Sequence, residues 1–319
     1  MKRRCAISGF IFLFATAAIA ADYPQRPVRL VVPYSAGGST DTVARVTGAR
    51  LAERLGQPVV IDNRTGAGTL IGTDIVRQAT PDGHVLLMAT PPLAVNPSLY
   101  AKVPYVLARD FVAVTNIAGS SNLLVVHPSL PVASVRELIA LLKASPGKYN
   151  YGSSGVGGAS HLAMALFMNM AGAEAVHVPY KGGAPAVADL VAGRLNLMMA
   201  NLTTAQPQIR AGRLKGLGVG KAARSPLFPE LPTIAEAGLK GYEANNWNGL
   251  VAPRGTPSAV IERLYRDIAA TLKEPVIAER MARAGLEPIG DTPKEFDRYL
   301  QAEAAKWGKL VKSAGIKAE

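Results

Sequence analysis

Cysteine is almost absent from this 319-residue chain: the one copy, Cys5, stands near the start. Disulfides are therefore not what stabilises the fold, and no cysteine set is available for a zinc site. Aromatic residues make up 6% of the chain and charged residues 18%. The formal charge is +12, yet beyond the first few residues the lysines and arginines form no run and are not interleaved with aromatics. A nucleic-acid partner is excluded on that ground, and a solvated basic surface that concentrates anions is the simpler consequence. Every apolar run after the first is broken by Gly, Pro or charge before it reaches the ~20 residues of a membrane-spanning helix.

Catalytic and cofactor signatures are also missing. Gly155 and Gly157 are followed by Ser160 where a dinucleotide fingerprint needs a third glycine, and Gly66 and Gly68 by Ile71, with Gly72 one step late. No phosphate-binding G-x-x-x-x-G-K-[ST] loop exists, and Gly152-Ser153-Ser154-Gly155 lacks the spacing of a nucleophile elbow. The histidines His84, His127, His161 and His177 are too dispersed for a metalloprotease motif. No enzyme activity, cofactor or metal is expected.

What is present begins with Lys2, Arg3 and Arg4, an apolar run from Ile7 to Ile19, and the small-x-small triplet Ala18-Ile19-Ala20. This reads as a signal peptide over 1–21, with Cys5 too early for a lipoprotein anchor. Export would leave a protein beginning near Ala21 or Asp22. The length, with 49% hydrophobic residues, suits two domains.

Short β-branched runs alternate with longer helical patterns, the signature of an α/β fold with parallel sheets. Val28 to Val32 reads as a strand, the turn Tyr34 to Gly38 follows, and a helix runs from Ser39 or Thr40 to Leu55, closed by Gly56. Val59–Ile61 and Val85–Ala89 repeat the strand pattern, the latter leading to a Pro-rich loop at Pro91 and Pro92. Leu123–Val126 is extended, and Ser134 with Glu137 forms a capping box. Tyr149–Tyr151 enters a second glycine turn, Gly152 to Gly158, with a helix through about Ala171. Val176–Val178 and Leu195–Met199 are further strands. After Gly220 the chain looks looser, and helices return at Pro257–Lys273 and from the Thr292/Glu295 capping box with Pro293 in its first turn. No repeat of fixed period is visible.

Each half thus carries a glycine loop opening a helix, where free main-chain N–H groups and the helix dipole favour an anion. Neither Tyr34–Thr40 nor Ser153–Ser160 contains Lys or Arg. Backbone N–H groups at Gly37, Gly38 and Gly157 are therefore expected to hold the anion, with Asp41 ordering the first loop. His161 reads equally well as a structural histidine and as a ligand contact.

The segments Arg26 to Pro33 with Gly37, Gly38 and Asp41, Leu55 to Val60, Asn63-Arg64 with Gly66 and Gly68, Pro81-Asp82-Gly83, and Asn96 to Tyr100 resemble the Bug-type solute-binding proteins of tripartite tricarboxylate transporters. So do His161-Leu162-Ala163, His177 to Gly182, Pro232-Thr233 with Glu236 to Gly238, and Trp247 with Ala252-Pro253. The resemblance covers nearly the whole mature chain. It implies a type II periplasmic-binding fold, two α/β domains with a ligand cleft between them: a discontinuous first domain at 22–122 and 247–319 and a second at 123–246, with crossovers near Asn122 and Asn246. It further implies a periplasmic monomer that binds a small carboxylate (a di- or tricarboxylate, an acidic amino acid or an aromatic acid) for the membrane subunits of such a transporter.

Matched to the family's loops, the ligand contacts would be Tyr34, Ser35, Gly37, Gly38, Ser39 and Asp41 in the first domain and Ser153, Ser154, Gly157, Ser160 and His161 in the second. Thr90, Tyr180, Lys181 and Asn201 are the remaining candidates. Departures from the family at Ala36, Asn196 and Met199 leave the ligand's identity open. Two other readings stay in play: a ligand-sensing subunit for a signalling receptor, and a periplasmic enzyme on the same fold, for which no reactive constellation can be named.

Overall fold

The computed structural model describes residues 23–313, residue 226 excepted; the signal-peptide reading falls outside the described residues. Ten strands are described: β1 (Val28–Val32), β2 (Val59–Asn63), β3 (Val85–Ala89), β4 (Phe111–Val126), β5 (Asn150–Ser153), β6 (Val176–Pro179), β7 (Leu197–Asn201), β8 (Lys215–Val219), β9 (Asn245–Pro253) and β10 (Leu286–Pro288). β1 lies between β2 and β3, parallel to both, and β3 pairs antiparallel with β9. At the other end β5 lies between β6 and β7, again in parallel.

β4 belongs to both groups. Phe111–Ser121 pairs with β9, and Asn122–Val126 pairs with β7 and β8. The chain returns where the N–H of Gly220 donates to the carbonyl of Asn122 and the N–H of Ala244 donates to that of Gly220, directly before β9. Two strand connections therefore join the two strand groups side by side.

Side-chain alternation explains why these strands are buried on both faces. Leu30 and Val32 share a core with Val43, Leu264 and Ile268 from flanking helices, whereas Val31 faces Leu87, Leu93 and Phe296. In the second group Leu124 and Val126 join Leu138, Leu162 and Phe167, while Leu123 and Val125 join Leu190, Met198 and Ala205. Leu124 is fully buried, and truncating it to Ala would cost about 2–5 kcal/mol. The helix Pro293–Ser313 touches both parts, with Phe296 and Leu300 in one core and Trp307 and Val311 in the other. The Phe296 ring lies on bare backbone at Gly249, where a Cβ would overlap it.

Most of the expected elements are present at their predicted places, including both capping boxes: Glu137 N–H donates to Ser134 Oγ, and Glu295 N–H to Thr292 Oγ1. Pro91 and Pro92 correct the reading. They open the helix Pro91–Leu99 rather than a loop, because a first-turn residue loses nothing by lacking an N–H. The helices Leu202–Arg210 and Pro275–Arg283 and the strands β8 and β9 were not foreseen.

Candidate ligand-binding site

The glycine turns sit at strand ends facing each other. Gly38 caps the helix Ser39–Leu55, Thr90 caps Pro91–Leu99, Gly158 caps Ala159–Ala171, Gly182 caps Gly183–Val191, and Asn201 caps Leu202–Arg210. None of these N-caps makes a side-chain capping hydrogen bond. All five helix starts border one small cavity, through Gly38, Ser39, Thr40, Thr90, Ala159, Gly183 and Asn201, with Tyr34, Ser154 and Asn246 completing it. First-turn N–H groups have no intrahelical partner, and each helix start carries about half a positive charge; at the Pro91–Leu99 start the dipole acts alone, because Pro91 and Pro92 have no N–H and the Leu93 N–H donates to the Thr90 carbonyl. No lysine or arginine lines this cavity, so its electropositive character comes from backbone.

The cavity measures about 20 Å³, little more than one water requires. Contacts across the cleft hold its walls together. Ser35 N–H donates to the Lys181 carbonyl at 3.1 Å, and Asn201 Nδ2 donates to Ser39 Oγ at 2.6 Å. Asn246 Nδ2 then donates to Asn201 Oδ1 (3.3 Å) and to Ser120 Oγ (3.2 Å), tying the contact to the crossover strands. Tyr34 supplies a neutral hydroxyl 3.4 Å from Thr90 Oγ1; burial pushes its phenol up to about 12.

Several predicted contacts turn out to build the loops rather than line the cavity. Gly37 has φ +82°, a conformation that suits glycine, and its N–H donates to Asp41 Oδ2 at 2.9 Å. The same oxygen accepts from Arg45 Nε, and Asp41 Oδ1 accepts from Asn63 Nδ2. Burial alone would raise the carboxyl of Asp41, but the bonds from Arg45, Gly37 and Asn63 outweigh it and hold the group below its ordinary value. Asp41 therefore orders the loop, and the Gly37 N–H is spent on it.

The second loop shows the same pattern. Gly157 N–H donates to His161 Nδ1 at 3.1 Å rather than to the cavity, and a side chain at Gly157 would collide with Leu99 and Asn96. His161 stacks on His177 at 4.1 Å, and His177 on Tyr151 at 4.9 Å. Burial, reinforced by the neighbouring ring, lowers His161 to about 3, and burial lowers His177 to about 4. Both rings are neutral packing elements. Ser153 Oγ bonds His177 Nε2 at 2.6 Å, and Ser160 Oγ accepts the Ser154 N–H at 2.8 Å.

Of the predicted residues, Tyr34, Gly38, Ser39, Thr90, Ser154 and Asn201 meet at the cavity. Gly37, Asp41, Ser153, Gly157, Ser160 and His161 stand behind it, and Ser35 braces the cleft. Tyr180 and Lys181 line a neighbouring cavity of about 200 Å³. Thr40, Ala159, Gly183 and Asn246 were missed as lining residues. The first three are first-turn neighbours of glycines already recognised, so extending the cap rule by one or two positions would have found them.

Comparison with known proteins identifies the family. Residues 43–316 match the model of the tripartite tricarboxylate transporter family receptor. Protein BugT of Bordetella pertussis is 38% identical, over 99% of each chain. A solved R. palustris structure with adipate is 42% identical with TM-score 0.90, covering 93% of this chain and 99% of the other. MatC of Rhodopseudomonas palustris with bound malate is 31% identical with TM-score 0.87, covering 91% and 100%. The chain belongs to the tripartite tricarboxylate transporter receptors, a family of periplasmic solute-binding proteins and not of enzymes.

Proposed function

We propose that this chain captures a small carboxylate in the periplasm and delivers it to the membrane subunits of a tripartite transporter. The single observation that carries the reading is the ring of five uncapped helix N-termini around one cavity without a cationic side chain. A carboxylate offers that ring acceptors and a negative charge. Neutral donors also suit delivery, because a fully desolvated ion pair is slow to release. The relatives solved with adipate and malate are consistent with a di-acid.

Residues 22–122 with 247–319 and residues 123–246 act as two lobes, hinged at Ser120–Asn122 and Ala244–Asn246, that close over the ligand. A thermal-shift screen against di- and tricarboxylates, acidic amino acids and aromatic acids tests the reading. A ligand at ~100 times its dissociation constant stabilises by ~2.7 kcal/mol. Failure of every carboxylate to raise the melting temperature would refute it.

A further inference from the structure

We propose that Lys181 sets specificity by reading a second anionic group on the ligand. The inference rests on the carboxylate reading of the helix-terminus ring. Beside that ring, and sharing Tyr34 and Ser154 with it, lies the cavity of about 200 Å³. Its volume is ten times that of the ring cavity, which suits a short carbon chain running from a carboxylate held in the ring. Lys181 is the one charged residue among the described residues that line it.

The surroundings leave that charge for a ligand. Lys181 is exposed, and no acidic side chain lines the cavity. The nearby Tyr180 hydroxyl donates to Asp189, whose other oxygen is already paired with Arg194. The main chain at Lys181 is fixed by the Ser35 bond across the cleft, and a side chain at Gly182 would overlap Ser35. The base of the Lys181 side chain is therefore fixed relative to the ring, while its flexible stem lets the ammonium adjust to ligand length.

The opposite wall is built to keep the space clear. Gly66, Ala67, Gly68 and Thr69 have φ of +123°, +46°, +58° and +80° in succession. Ala67 and Thr69 are the non-glycine residues with positive φ among those described, and strain of this kind collects at ligand clamps. A Cβ at Gly68 would strike Tyr100 and the carbonyl of Val156 from the other lobe. The wall is thus a tight strip of backbone and small side chains facing the lysine.

Titration calorimetry of the mature protein and of Lys181→Gln and Lys181→Arg, with succinate, glutarate and adipate and the monoacids butyrate, pentanoate and hexanoate, tests this. The natural protein should prefer a diacid to its equal-length monoacid, and Lys181→Gln should shrink that preference by about three- to tenfold, the worth of a partly exposed charge-assisted bond. Lys181→Arg should keep most of it. Because Lys181 is exposed, neither change threatens folding, which circular dichroism verifies. An unchanged preference in Lys181→Gln overturns the role of Lys181 and leaves the ring reading standing; a natural protein that binds each monoacid as tightly as its diacid overturns the second-anion reading in the same way.

Discussion

Asn201 and Ser39 cap or begin helices on opposite sides of the cleft, and the Asn201 amide donates to the Ser39 hydroxyl at 2.6 Å. Through Asn246 the same amide connects to Ser120 on strand β4, so the contact across the cleft and the proposed hinge belong to one network. Asn201→Ala should weaken ligand affinity by about fivefold, the worth of one net hydrogen bond, with little loss of melting temperature. Calorimetry compares the affinities, and small-angle scattering should show a more open average form. Full affinity in the variant would show that this contact does not support closure.

Gly38 separates binding from folding. Its φ is not positive, and an added Cβ would meet nothing closer than the Ser35 carbonyl at 3.8 Å. Gly183 also borders the ring cavity, with nothing within 4 Å of such a Cβ. Gly38→Val and Gly183→Val should therefore keep native circular dichroism and lose at least about a hundredfold in affinity, because crowding denies the ligand its N–H donors. Tight binding by both variants would place the ligand elsewhere.

Asp41→Asn removes a charge that holds Gly37 and Arg45 together. The expected loss of stability is about 1–3 kcal/mol, measured by urea denaturation, with weaker binding as the loop loosens. Since the folded carboxyl lies below its ordinary 3.8, its stabilisation is complete above about pH 4 and lost as pH falls towards the folded value. The variant should lack that acid-dependent loss.

The stacked histidines act in a different window. The unfolded chain takes up protons near 6.5, whereas folded His161 and His177 resist until about 3 and about 4. Below pH 6.5 the unfolded state binds more protons, so stability falls as pH falls, by up to about 1.4 kcal/mol per histidine per pH unit. Melting temperatures from pH 7.5 to 5 should drop in the natural protein and drop less in His161→Gln. Equal slopes would contradict neutral burial of the pair.

Strand and helix positions in the first lobe could be read from the sequence because apolar runs, glycine stops and capping pairs there agree with one another; Val28–Val32, Gly56 and the Thr292/Glu295 box are examples. β9 was hidden because Asn245, Asn246 and Asn248 disguise a strand that tertiary pairing with β4 creates. At the site, composition pointed to backbone N–H donors, and two of the three amides it named are engaged inside their own loops. That Gly37 serves Asp41 and Gly157 serves His161 depends on where each loop turns its amide, which local residue preference does not specify.

A co-crystal structure with a carboxylate that stabilises the protein is the most direct test of the helix-terminus ring. The predicted result places one carboxylate within about 2.7–3.2 Å of first-turn N–H groups among Gly38–Thr40, Ala159 and Gly183, with no lysine or arginine on it. A ligand whose carboxylates all rest on lysine or arginine side chains, away from those N–H groups, would contradict it.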